Sequence, residues 1–268
     1  MIVYSTASDI IDESIRKLKW ENQEKLMEVR DEALDYYTYN NTAKYIDQYF
    51  SGTLQQEIPI YNVNLTKKLV NRISLVYKNP PIRSIENDKY HELTSDKDWK
   101  FKNLERIHNL LGTIAVQVCW EDDHIKYNPI LHFCPIMDPY NPLKPIAITY
   151  PLNKSTGDWR NTEDDLYVYW SETEHYMFDS HGKIIQVNED NVNPYGVLPF
   201  VFIQPTHMVD EFWNEGAMDI ALGNKQIDVA MTMLQHHIRT AGGQFVIEGR
   251  VDANNIQLGL NKVVVVDE

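Results

Sequence analysis

The sequence predicts an α+β protein, and three observations lead to this fold class. Apolar residues recur at helical spacing in residues 8–111, short strands separated by turns follow in residues 113–204, and one long helical pattern covers residues 217–240. Hydrophobic residues make up 43% and charged residues 24% of the 268 residues, which is typical of a globular protein with a core. The longest aliphatic run, four valines at residues 263–266, is far shorter than the roughly 20 residues of a membrane span, so no membrane partner is expected.

The N-terminal part, residues 1–112, is predicted to be helical. Ser8 is a candidate N-cap, and apolar residues continue at helical spacing through Tyr36. Asn64 is a candidate N-cap of a further helix, which we expect to run to Asn79 because Pro80 cannot continue it. A last helix near residues 99–111 should end at Gly112, since glycine adopts the left-handed conformation of a helix C-terminus.

Residues 113–204 are predicted to form an antiparallel, β-rich part. Alternating apolar residues in 113–121 indicate a strand with one buried face, and EDDH (121–124) forms a plausible turn to the next strand. A second hairpin is expected at residues 180–182. Short strands in series favour a meander packed as a sandwich or half-barrel. The two cysteines, Cys119 and Cys134, fall within predicted strands and fit no metal or redox spacing, so we expect small buried side chains in a reducing compartment.

The third part contains the longest helix signal, within a segment we delimit as residues 205–241. Its apolar residues lie at offsets of seven, four, three and four, which puts them in one narrow stripe on a helix about 36 Å long. A stripe this narrow can pack on a neighbour while the other face of the helix meets solvent or DNA, and Lys225 and Arg239 are the candidates for that solvated, DNA-channel face. The predicted stripe consists of Ile220, Ile227, Met231, Leu234 and Ile238.

Sequence motifs that would indicate catalysis are absent from the chain. There is no phosphate-binding glycine loop, dinucleotide fingerprint, zinc-protease motif or nucleophile elbow. The acidic groups at 121–124, 163–165 and 172–175 carry residue types that bind metals, but sequence spacing cannot show whether they converge on one ion. We therefore predict no enzyme activity, catalytic residue, metal site or cofactor.

Charge is unevenly distributed. The formal net charge is −14, with a local excess of +3 over residues 57–106 and of −11 over residues 107–215. Tight binding of nucleic acid requires clustered cations that face phosphates, and the sequence shows no such cluster. A protein of this charge can nevertheless surround DNA without gripping it.

Several phrases of the chain resemble bacteriophage portal proteins, the head-to-tail connectors of the capsid. They are YIDQYFSGT (45–53), YNVNLTKKLVNRISLVYKNPPI (61–82), the strand series that follows Leu111 and Gly112, NPYGVLPFVFIQ (193–204), and a striped helix followed by AGGQFVIEG (241–249). The resemblance is distributed over nearly the whole chain. It implies a helical and a β-rich part of the portal wing (1–112 and 113–204), a stem helix (205–241) and the start of a β-containing clip (242–268).

The resemblance also implies a function. Portals are rings, usually of twelve copies, at one vertex of the virion capsid, and they are assembled in the host cytoplasm. Double-stranded DNA passes through the ring during genome packaging and ejection, and the portal itself hydrolyses nothing. The implied partners are other copies of the chain, terminase, a tail adaptor, and the capsid and scaffolding proteins. Arg250, Asp252 and Asn254 are candidate contacts for terminase or adaptor. Portals continue through a second stem helix, a tunnel loop and a crown, whereas this sequence stops at Glu268.

Two other function classes stay open from the residues alone. A metal-dependent nuclease would need carboxylates from the regions of Glu121, Glu163 and Glu172 to converge on an ion. A monomeric tail or adhesion module would use the tyrosine-rich strands as a binding surface.

Overall fold

The computed structural model describes residues 21–50, 59–79, 97–121, 123–152, 166–179, 181–185, 187, 190–204 and 212–241. Within these residues it is a mixed structure of five α-helices and two antiparallel sheets, so the predicted α+β class is confirmed. The chain divides into two compact units, each built from two stretches of sequence. One consists of Met1–Leu34 and Lys68–Asp219, and the other of Asp35–Lys67 and Ile220–Glu268.

The helices are α1 (Glu21–Thr38), α2 (Ala43–Asp47), α3 (Leu65–Ile73), α4 (Lys97–Leu111) and α5 (Met218–Ala241), with a 3₁₀ turn at Val76–Lys78. The predicted cap of α3 is confirmed, because the Lys67 amide donates to Asn64 Oδ1 at 3.0 Å. The prediction that this helix continues to Asn79 is wrong. It ends at Ile73, where the Ser74 hydroxyl donates back to the Val70 carbonyl at 2.8 Å, and only the short 3₁₀ turn follows. The predicted start of the first helix near Ser8 lies outside the described residues, and Pro80 also lies outside them.

The C-terminus of α4 has the geometry that the sequence predicts. Gly112 has φ +74° and its amide donates to the His108 carbonyl at 2.7 Å, which ends the helix with a left-handed residue. The glycine also permits a close approach of the backbone, since a Cβ at this position would lie 2.0 Å from the Asn214 carbonyl oxygen. The segment around Asn214 is joined here by Thr113 N–H to Asn214 O at 3.2 Å and by Asn214 N–H to Thr113 Oγ1 at 2.9 Å.

The strands are β1 (Ile114–Glu121), β2 (His124–Ile130), β3 (Cys134–Asp138), β4 (Asn141–Pro151), β5 (Leu166–Ser171), β6 (His175–Asp179), β7 (Ile184–Ile185) and β8 (Phe200–Ile203). The first sheet has the order β2-β1-β8, and the second is the meander β3-β4-β5-β6-β7. Both predicted hairpins are present: Glu121 pairs with His124, and the Gly182 amide donates to the Asp179 carbonyl beyond β6.

The two sheets share one hydrophobic core. Ala115 of β1 and Phe200 of β8 join Ile148 of β4 and Trp170 of β5 in a single cluster of buried residues, as sandwich packing requires. Of the two free cysteines, Cys134 is buried as expected, whereas Cys119 is half-buried. Burial raises the pKa of the Cys119 thiol. No helix within the described residues combines the length and the hydropathy that crossing a membrane would require.

Arg30 of α1 is a charged residue with no exposed surface, and it lies beside Trp213, which packs against this core. Its guanidinium donates hydrogen bonds of 3.0 Å to the carbonyls of Leu111, Thr113 and Leu131, and lies 5.4 Å from the ring centre of Trp213. Burial lowers the pKa of Arg30 to about 10, so the side chain stays charged at neutral pH. One side chain thus provides hydrogen-bond donors for the carbonyl at the end of α4, the carbonyl just before Ile114 and the carbonyl just after Ile130.

Candidate interaction surfaces

Helix α5 is the element on which most of the predicted site residues lie, and its sequence explains its length. The 24 residues contain no proline, with Asp219 in the first turn and Arg239 in the last, which complements the helix dipole. The single internal glycine, Gly223, has open space where a Cβ would be. The predicted long helix is therefore confirmed, with bounds one residue beyond those expected.

One side of α5 is buried, and three polar residues lie on it together with Ala221. Asn224, Asp228 and Thr232 follow each other at intervals of four residues and are 2%, 0% and 1% exposed. We call these three residues the polar ladder. Buried polar side chains destabilise a protein unless they are hydrogen-bonded, so their partners explain how the helix can turn this side inward.

The partners of the polar ladder are backbone N–H groups of residues 61–66. Thr232 Oγ1 accepts from Tyr61 N–H at 3.0 Å, Asp228 Oδ1 accepts from Val63 N–H at 3.1 Å, and Asn224 Oδ1 accepts from Leu65 N–H at 2.9 Å. Two residues of extended backbone advance about 6.6 Å and four residues of helix advance about 6 Å, so alternate N–H groups can meet every fourth side chain.

Bonds within the polar ladder complete it. Asn224 Nδ2 donates to Asp228 Oδ2 at 2.8 Å, and the Thr232 hydroxyl donates to the Asp228 carbonyl at 2.7 Å. Asn224 Oδ1 also accepts from the Thr66 amide and hydroxyl, so it satisfies N–H groups in the first turn of α3 that have no partner within that helix. Burial raises the pKa of Asp228 to about 6, although both of its hydrogen bonds favour the ionised form.

The predicted apolar stripe lies beside the polar ladder and not under it. At about 100° per residue, its five members fall within an arc of about 60°, centred about 90° around the helix from Asp228. Ile227 is 46% exposed, Leu234 48% and Ile238 64%, while Ile220 and Met231 are half-buried. Three polar residues of α5 are thus buried while Ile227, Leu234 and Ile238 are exposed, whereas an ordinary surface helix turns its large apolar residues inward.

The predicted charged residues have the following positions. Lys225 is half-buried and Arg239 is exposed, and both lie more than about 100° around α5 from the centre of the stripe. Both take part in interactions within the chain. Arg250, Asp252 and Asn254 lie outside the described residues, so their assignment stays a prediction.

A second apolar surface, which the sequence patterns did not indicate, lies on the outer face of the three-stranded sheet. It is a cavity of about 410 Å³ with Val116, Val118, Tyr127, Val201 and Ile203 as its floor and with Val76, Tyr77, Phe101, Leu104, Glu105 and His108 as its walls. Phe101 packs edge-on against Tyr127, with ring centres 4.9 Å apart.

The two polar residues in the cavity wall are engaged by the backbone. Glu105 accepts from the amides of Val76 and Tyr77 at 2.8 and 3.0 Å, which fixes the 3₁₀ turn, and His108 Nδ1 donates to the Gly112 carbonyl at 2.6 Å. The cavity can therefore bury an apolar group. Its described walls contain no pair of groups arranged as nucleophile and base.

The candidate metal ligands are dispersed among other contacts. Glu121 forms an ion pair with Lys126 at 3.0 Å across the first hairpin, and His175 stacks on Trp170 with ring centres 3.5 Å apart. Burial lowers the pKa of His175. No group of three metal-binding side chains occurs among the residues that the structure describes, and residues 163–165 lie outside them. The chain matches no protein-family model and no curated protein.

Proposed function

We propose that the chain is a structural subunit of a portal ring, which assembles through α5 and surrounds double-stranded DNA. The observation that carries this proposal is the apolar stripe of α5, whose outermost residues are about half exposed or more while a polar ladder occupies the buried side. Ile227, Leu234 and Ile238 form an exposed apolar row along one face of a long helix, which favours contact with another protein, and exposed Leu222 and Met233 lie off this row. In a ring, that other protein is a further copy of the same chain.

The electrostatics support a channel that lets DNA slide. A net charge of −14 repels the duplex, and tight phosphate binding would oppose movement of the DNA through a ring. Lys225 and Arg239 lie away from the stripe on α5, so packing of the stripe on a neighbour would not cover them, and we propose them as the DNA-facing cations of the helix. Terminase and the tail adaptor would then bind through the region of Arg250, Asp252 and Asn254.

The first experiment is negative-stain electron microscopy of the product of the complete gene, purified at near-physiological salt. We expect rings with a central hole wide enough for a DNA duplex. Compact monomers, both alone and with scaffolding protein present, would contradict the proposal. Cleavage of DNA that depends on a divalent cation would instead favour the nuclease.

A pair of substitutions tests the role of the stripe directly. Ile227→Asp and Leu234→Asp each place a carboxylate in the contact that we propose, and burying an unpaired charge in such a contact should abolish ring formation. Gln226→Asp is the matched control, because it adds the same charge at an exposed position next to Ile227 but off the stripe. The measurement is the sedimentation profile of each variant. Rings formed by both stripe variants would show that α5 does not form the contact.

A further inference from the structure

We infer that the polar ladder is a positioning device: Asn224, Asp228 and Thr232 set the rotation of α5 about its own axis and thereby keep the apolar stripe at the surface. Apolar burial alone would turn Ile227, Leu234 and Ile238 inward, since each would gain from leaving water. Their exposure therefore requires an opposing interaction, and the hydrogen bonds to residues 61–66 supply it.

The hydrogen bonds of the polar ladder favour one rotation of α5, because its side chains reach residues 61–66 only in that rotation. Turning the stripe inward by about 90° would remove the polar ladder from residues 61–66 and leave the amides of Tyr61 and Val63 without these acceptors, while the Leu65 amide would keep only the Val63 carbonyl. A polar group that loses its partner while shielded from water destabilises the fold. The ladder thus defines one rotational setting in the way that single buried polar residues fix the register of coiled coils.

This inference rests on the proposed function only in giving the stripe a role in ring assembly. The rotation of α5 about its axis is a property of the single chain. It can therefore be measured at a protein concentration where sedimentation shows monomers. A ring that fails to form would leave the positioning role intact, and a ring that forms would not establish it.

The test uses reporter cysteines and their rates of alkylation, read peptide by peptide with mass spectrometry. Leu234→Cys reports on the stripe, Ala221→Cys reports on the buried side of the helix, and the natural buried Cys134 is an internal reference for slow reaction. With the polar ladder intact, we expect the cysteine at 234 to react at least tenfold faster than the one at 221.

The decisive variant replaces the polar ladder with apolar residues of similar size, Asn224→Leu, Asp228→Leu and Thr232→Val. We expect the rate at position 234 to fall at least tenfold and the rate at position 221 to rise. Unchanged rates at both positions in a variant with native helix content by circular dichroism would overturn the inference.

A milder pair keeps the test decisive if the triple variant does not fold. Thr232→Val removes the acceptor for Tyr61 N–H without changing the shape of the side chain, whereas Thr232→Ser keeps the hydroxyl. We expect Thr232→Val to reduce the ratio of the two reporter rates at least threefold and Thr232→Ser to leave it unchanged. Equal ratios in the two variants would show that the hydrogen bond does not hold the helix in its setting.

Discussion

The close backbone approach at Gly112 leads to a quantitative prediction for Gly112→Ala, with Gly196→Ala as its control. Both glycines have a positive φ, +74° and +63°, so a new methyl group meets the same local strain of about 1 kcal/mol at either site. They differ in their surroundings. A Cβ at Gly196 has no atom within 4 Å, whereas a Cβ at Gly112 would lie 2.0 Å from Asn214 O and 2.7 Å from Gly216 N.

The additional cost at Gly112 follows from the contacts that must move. Real Cβ atoms essentially never approach within 3.0 Å of another atom, so the Asn214 carbonyl must shift by about 1 Å. That shift disrupts the two hydrogen bonds between Thr113 and Asn214, and the bond from Ala217 N–H to Asn109 O, which is 2.8 Å long. At about 1 kcal/mol for each bond, the total loss is about 4 kcal/mol for Gly112→Ala and about 1 kcal/mol for Gly196→Ala.

Urea denaturation followed by tryptophan fluorescence measures this difference, because Trp213 adjoins Asn214 in the affected segment. In a thermal scan, 1 kcal/mol corresponds to about 2–4 °C for a chain of this size. We therefore expect Tm to fall by roughly 10 °C for Gly112→Ala and by roughly 3 °C for the control. Equal losses in the two variants would refute the steric argument and leave only backbone strain.

Two further predictions concern buried charges. Arg30→Met should lower the free energy of unfolding by about 3–5 kcal/mol in urea titration, because three carbonyls lose their donor. The control Arg72→Met, at an exposed position, should change it by less than about 0.5 kcal/mol. Equal small effects in the two variants would show that the hydrogen bonds of Arg30 are dispensable. The raised pKa of Asp228 stabilises the fold fully below about pH 4, and this contribution is lost as the pH rises through 6. The free energy of unfolding relative to Asp228→Asn should therefore fall by about 2 kcal/mol between pH 4 and pH 7, and a difference independent of pH would contradict the assignment.

Local signals in the sequence predicted local structure well. Asn64 and Gly112 could be assigned because a cap depends on one side chain or one φ angle, and both lie where the helix spacing changes. The hairpin at Glu121 could be placed because alternation of apolar residues stops at an acidic turn. Helix α5 was recognised by its uninterrupted length.

The candidate surfaces were harder to predict, because sequence patterns assume that apolar residues face inward. On α3, Leu69 is 45% exposed while Thr66 is buried, and on α5 the same reversal separates the stripe from the polar ladder. The available signal was the strict four-residue spacing of Asn224, Asp228 and Thr232. The cavity and the Arg30 contacts depend on residues far apart in the chain, so no local pattern could indicate them.

The polar ladder also has a consequence for how the two segments can change in evolution. Helix α5 contributes side chains to this contact, whereas residues 61–66 contribute mainly amide hydrogens, which every amino acid except proline provides. The identity of Val63 is therefore unconstrained by the contact, and the identity of Asp228 is constrained by it. In related sequences we expect variation at Tyr61, Val63 and Leu65 with proline excluded, opposite three positions on the helix that keep an oxygen acceptor.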